Sequence, residues 1–184
     1  CLLSRGLGDV YKRQTMQRPN MVLRKNISEP ELETIELNLL NLDLWPMWNE
    51  FANRILSENR GDLVIDQRID LHRIVAQQLI EDMWSVEAIS QGENPKFSQL
   101  LLKWQGQRIN GRYSALAIKK LCIDITILYG DDGGIEVSAW WELSKLSKFL
   151  GFGSKLVSQI TKQIFEDLTN NGIKRFNTEL SEIS

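Results

Sequence analysis

The junction Leu150-Gly151-Phe152-Gly153-Ser154 most constrains what this chain can fold into, because two helically periodic segments meet there. Upstream, Trp140, Leu143, Ser147 and Leu150 recur at helical spacing, with Leu146 and Phe149 beside them. Downstream, Leu156, Val157, Ile160, Ile164 and Leu168 continue the pattern. Gly151 is placed to end the first segment in a left-handed conformation that costs glycine little, and Ser154 is a good N-cap for the second. The spacing predicts a helix, a tight turn and a longer helix.

Three readings of that segment stand side by side. It reads as an ordinary helical hairpin of a bundle. Residues 138–176 also resemble a helix-turn-helix DNA-binding motif, with Leu146, Leu150, Phe152, Val157 and Ile160 where such motifs bury the contact between helices. That resemblance implies a second helix presenting Lys155, Ser158, Gln159, Lys162 and Gln163 to nucleic acid, the lysines at phosphates and Gln159 at a base edge. The third reading is an acyl-carrier loop. Lys148, Gly151, Gly153 and Ser154 before a helix resemble the acetyl-CoA loop of the GNAT acetyltransferases, which implies backbone amides around a pyrophosphate. On that reading residues 135–143 form a strand; on the helix-turn-helix reading Trp140–Leu150 is helical. The helix-forming content of AWWELSKLSKFL favours the helix and no acetyl-CoA binding.

The first fourteen residues, CLLSRGLGDVYKRQ, resemble translated sequencing-adapter read-through, so residues 16–184 are read as one globular domain and 1–14 are set aside. The chain's formal charge is −2, and removing Arg5, Lys12 and Arg13 against Asp9 makes it more acidic. That balance argues against wholesale coating of nucleic acid. From Trp140 to Phe176, however, five Lys and one Arg face only Glu142, Glu166 and Asp167. With Cys1 set aside, Cys122 is left alone, which excludes a disulfide framework and points to a buried thiol. The sequence has no apolar run of spanning length and no signal-peptide pattern, so the expectation is a cytoplasmic protein with no membrane association.

Elsewhere the pattern is again read as helix. Ser28 and Glu31 form a capping box before Leu32, Ile35, Leu39 and Leu42. A second helix carries Trp48, Phe51 and Ile55. The longest run, Asp70–Ser90, places Leu71, Ile74, Val75, Leu79, Met83 and Val86 at helical spacing. Phe97 to Trp104 reads as a short helix before the turn Asn110-Gly111. The stretch from Tyr113 reads as helix in its first half, with helix and strand both open toward Tyr129. Gly130–Gly134 then turns the chain. His72 is read as an exposed helix-start residue rather than half of a pair with Asp70, and Asp131-Asp132 as a solvated turn rather than a cation site. The six tryptophans are read mainly as core area.

The expected fold is therefore mainly α: a single-domain bundle of six or seven helices, with a small β-hairpin near 123–137 left open. The expected function is a non-enzymatic, cofactor-free binding or regulatory protein. DNA is its leading partner through 138–176. A GNAT-like acyltransferase using acetyl-CoA, and a helical module for a protein partner or a second copy, are the alternatives.

Overall fold

Among the described residues, strand, not helix, is what most apolar side chains build. The computed structural model describes residues 18–114, 118–145, 147 and 153–175. In order these form β1 (Met21–Asn26), α1 (Glu29–Leu40), a 3-10 turn (Leu42–Leu44), α2 (Trp45–Trp48), β2 (Arg54–Ser57), β3 (Arg68–Val75), β4 (Gln78–Glu93), β5 (Lys96–Ile109), β6 (Arg112–Tyr113), β7 (Ile118–Leu128), β8 (Gly134–Leu143) and α3 (Gly153–Asn170). All strands join one sheet of order β1-β8-β7-β5-β4-β3-β2, with β6 paired to β5. Every pairing is antiparallel.

The expected helical bundle is thus overturned. Three α-helices and one 3-10 turn stand among the described residues, against eight strands. Asp70–Ser90 is not a helix but the β3–β4 hairpin, whose Val75↔Gln78 pairing is closed by Ala76 and Gln77. Phe97–Trp104 lies within β5, and the open hairpin near 123–137 proves to be part of the longer β7–β8 pair. Ile55 pairs with Leu71 as strand rather than continuing a helix from Trp48. Trp140–Leu143, expected as the first helix of a helix-turn-helix, is the end of β8.

Alternation gives the sheet one apolar face. Leu121, Ile123, Ile125 and Ile127 of β7 are almost wholly buried, and the last three lie opposite Ala139, Val137 and Ile135 of β8. Between them on β7, Cys122, Asp124 and Thr126 point to the outer face, as the two-residue period of a strand requires. The helices cover the inner face: Leu32, Ile35 and Leu39 of α1, both tryptophans of α2, and Val157, Ile164 and Leu168 of α3 join the same core. The start of α1 is as expected, with the Ser28–Glu31 capping box formed and Pro30 in the first turn.

α3 is fastened at its C-terminal end. Asn38 of α1 donates from Nδ2 to the carbonyls of Gly172 (2.6 Å) and Lys174 (2.9 Å). The Glu50 amide donates to Asp167 Oδ2 at 3.0 Å. The helix packs on β8, β1 and α1, and between it and the inner face of β3, β4 and β5 a space remains.

Candidate functional site

That space is a cavity of about 430 Å³, within the range that holds a small organic molecule. Leu156, Ile160 and Ile164 of α3 form one wall, and Leu71, Leu102, Leu121 and Ile125 of the sheet form the other. Five aromatic rings, Trp45, Trp48, Phe51, Trp84 and Trp104, complete it. Trp45 and Trp48 stand edge to face, ring centres 5.8 Å apart, and their N–H groups are taken by the carbonyls of Leu39 and Asn38. They therefore present hydrocarbon to the cavity.

The wall also carries a cluster of polar side chains. Arg73 of β3 and Asp82 of β4 point to the inner face and meet at 3.3 Å. Gln107 of β5, the residue directly opposite Asp82, donates Nε2 to Asp82 Oδ1 at 2.6 Å. The guanidinium of Arg73 lies 4.3 Å over the Phe51 ring. Burial pushes the Asp82 carboxyl up, against the opposing pull of hydrogen bonds from Gln107 and Trp104 and the charge of Arg73. Burial also pushes Arg73 below its ordinary value, partly offset by Asp82. Among the described residues, the lining contains no His, Cys, Ser, Thr, Tyr or Lys, so these offer the cavity no hydroxyl, thiol, imidazole or amine nucleophile.

Of the residues singled out from the sequence, Gln159 and Gln163 meet the cavity, and the other described ones lie elsewhere. Lys155 and Lys162 are exposed on α3 and Ser158 is half-buried. Gln159 and Gln163 line the cavity, and Gln163 donates Nε2 to Asp167 Oδ1 at 2.9 Å. The apolar stripe that suggested a contact between two helices is the stripe α3 lays over the sheet. Lys148 and Gly151 lie outside the described residues. Gly153 is required by packing: a Cβ there would come within 2.5 Å of Ser147 Oγ and 3.1 Å of Leu143. Ser154 Oγ accepts from the Trp141 indole at 3.3 Å. The strand at Gly134–Leu143 is what the acyl-carrier reading asked for, but the fold around it is a different one, as the likenesses below show.

His72 is on β3, half-buried, with Nε2 3.6 Å from Glu81. Asp131 and Asp132 are exposed in the β7–β8 turn, and no group of three metal-ligating side chains occurs among the described residues. Cys122 is free and half-buried, its thiol pushed up by burial. No described helix is long and apolar enough to cross a membrane. A second polar cluster ties α1 to the sheet. There Glu36 accepts hydrogen bonds from Ser98 Oγ, Tyr129 OH and Gln91 Nε2, the last at 2.8 Å.

Sequence reasoning missed Arg73, Asp82 and Gln107. The available signal was phase: Arg73 falls two residues after Leu71, and Asp82 two before Trp84, so strand alternation puts both charges on the apolar face.

No family model and no curated protein matches this chain. Solved structures do. A hypothetical protein from Helicobacter pylori superposes with a TM-score of 0.58 at 9% identity, covering 83% of each chain. Ara h 8.0201 gives 0.50 at 14% identity over 82% of this chain and 99% of its own. A major latex-like protein from Panax ginseng gives 0.50 at 9% identity over 78% and 93%. At these identities the likeness shows the fold alone. It is an antiparallel sheet with helices packed on one face, which overturns both the helix-turn-helix and the GNAT readings.

Proposed function

We propose that this protein binds a small, predominantly apolar molecule in the cavity between α3 and the sheet, as a carrier or sensor of that molecule. The observation that carries the reading is the cavity itself. It measures about 430 Å³, is walled mainly by aliphatic and aromatic side chains, and carries the Arg73–Asp82–Gln107 cluster in its wall. A folded chain does not leave such a volume beside a close-packed core without cost, because the lining forfeits dispersion contacts. A ligand restores them. Burying about 200 Å² of apolar ligand surface at about 25 cal/mol/Å² gives roughly 5 kcal/mol, a dissociation constant near a few hundred micromolar for a two-ring probe. A ligand that fills the space binds more tightly.

The test is titration with N-phenylnaphthylamine, a neutral dye that brightens in apolar surroundings. The expected result is saturable one-to-one enhancement that Ile160→Trp, which fills the cavity from α3, abolishes without unfolding the protein. No saturable enhancement with the unaltered chain would overturn the reading.

A further inference from the structure

The β3–β4 hairpin runs on past its neighbouring strands as an exposed, uncharged tip. We propose that this tip docks on an anionic lipid bilayer, with Ile74, Val75 and Leu79 entering the headgroup region and Arg54 and Arg112 meeting its phosphates. The docking stands on the tip alone; its consequence for the cavity rests on the ligand-site reading.

β2 pairs with β3 only as far as His72, opposite Arg54. On the other side β5 accompanies β4 to Ile80, opposite Ile109. The link ends where the Asn110 amide donates to the Leu79 carbonyl at 2.8 Å and the Leu79 amide donates to Asn110 Oδ1 at 2.9 Å. From Ile74 to Ile80 no side chain is charged. Ile74 is 72% exposed, and Val75 and Leu79 are exposed as well. Folds usually blunt such a ribbon with Lys or Pro, and this stretch holds neither. The turn itself has positive φ at Ala76 and Gln77, where Asn and Gly are at ease. Strain of this kind points to a function for the residue that bears it, and Ala76 keeps the tip apolar.

Size, surroundings and charge favour a bilayer over a protein as the occupant. The apolar tip amounts to roughly a few hundred Å², below the roughly 800 Å² per partner of a stable protein interface. A bilayer surface, by contrast, holds a protein by a few inserted side chains. Tyr113, 70% exposed, stands on the adjoining β5–β6 hairpin with the Arg108 guanidinium 4.7 Å over its ring. Tyrosine and arginine each join an apolar body to a polar end and suit the headgroup level. Arg54 at the root of the ribbon and Arg112 beside the Asn110-Gly111 turn are exposed and form no salt bridge among the described residues. Of the carboxylates on the face of Ile74, Asp70 lies further back along β3. Glu81 has His72 and Arg108 as its cross-strand neighbours, so its charge is met within the sheet. Unpaired basic side chains add electrostatic hold on an anionic leaflet. Docking of this kind needs no spanning helix. Arg73 and Ile80, at the two ends of the tip, line the cavity. Docking therefore sets the cavity wall against the phase in which an apolar ligand collects.

The experiment is co-sedimentation of the full chain with vesicles of equal parts phosphatidylcholine and phosphatidylglycerol, where saturable partition is expected. Ile74→Glu with Val75→Glu is expected to weaken it about tenfold or more, through loss of two inserted apolar groups. Leu37→Glu with Val22→Glu makes the same change at exposed apolar sites on α1 and β1 and should leave it unaltered. Arg54→Gln with Arg112→Gln should weaken it about tenfold, to the level found with phosphatidylcholine alone. No partition of the unaltered chain, partition that the hairpin variant keeps, or equal loss in the two glutamate pairs overturns the proposal. In any of these cases a dimer that the hairpin variant dissolves, seen by sedimentation velocity without lipid, identifies a second copy as the occupant instead. The hairpin variant should still brighten N-phenylnaphthylamine in lipid-free solution, which shows it folded. Failure of docking with dye uptake intact leaves the cavity reading standing, and loss of dye uptake by the unaltered chain sinks that reading without touching the docking.

Discussion

Arg73 and Asp82 meet at 3.3 Å on the inner face of neighbouring strands, an ion pair set into the wall of an apolar cavity. Its side chains are only 19% and 12% exposed. Two charges in such a place offset each other but gain little over hydrocarbon, whereas one alone is costly. Arg73→Met, which leaves Asp82 unpaired, should therefore destabilise the fold by about 3 kcal/mol. Arg73→Met with Asp82→Leu should recover most of that loss. Urea unfolding of the three proteins checks it, and equal stability of the single and double variants would sink the account of the pair.

The β3–β4 turn is built against its residues. Ala76 and Gln77 both hold positive φ, 48° and 65°, as a two-residue primed turn demands, yet neither is the Asn, Asp or Gly that adopts this conformation readily. Ala76→Asn with Gln77→Gly should stabilise the protein by about 1 kcal/mol and raise its midpoint by about 3 °C. A lowered midpoint in a thermal scan would mean that the native turn makes contacts worth more than its strain.

Those two positions also show why the sequence misled. Asn110-Gly111 and Gly130–Gly134 announce their turns and were legible, as was the Ser28–Glu31 cap. Ala76-Gln77 announces nothing, so two strands ran together into one long periodic segment. Within it the strand alternation was disguised twice. Arg73 and Asp82 put charge on the apolar face, where the cavity uses it, and Ile74, 72% exposed, puts a large apolar group on the other. Register shifts at Met83/Trp84 and Val86/Ala88 then break the phase further. The site's own chemistry erased the pattern that would have revealed its strand. Helical periodicity was correct where a helix does lie on the sheet, in α1 and α3. Without the sheet in view, the same apolar stripe reads as helix-on-helix contact.

Glu36 should give the fold a measurable dependence on acid. Burial pushes its carboxyl up, but hydrogen bonds from Ser98, Tyr129 and Gln91 and the charge of Lys96 outweigh burial and hold it below the ordinary 4.5. A lowered carboxylate contributes stability that is present above its unfolded value and is lost as pH falls through the folded one. The stability gap between the unaltered chain and Glu36→Gln should therefore be constant near pH 6 and shrink below about pH 4.5. Asp82, Asp124 and Asp167 are shifted upward, chiefly by burial, and work in the opposite sense, so the comparison with Glu36→Gln isolates the one group. A gap that widens in acid would contradict the assignment.

Gly153 is held by a steric contact with Ser147. Gly153→Ala should cost about 1–3 kcal/mol through overpacking, and adding Ser147→Ala, which removes the atom a Cβ would strike at 2.5 Å, should return part of it. Additive costs in that double-mutant cycle would show that the two residues do not press on each other.

The central claim is that the space between α3 and the sheet takes up an apolar molecule, and the tryptophans report on it directly. Of the six in the chain, Trp45, Trp48, Trp84 and Trp104 line the cavity while Trp140 and Trp141 do not. In a proton–nitrogen correlation spectrum titrated with naphthalene, the four lining indole signals are expected to shift together and saturate, with those of Trp140 and Trp141 left in place. Unmoved signals from the four, or shifts confined to Trp140 and Trp141, would contradict the claim.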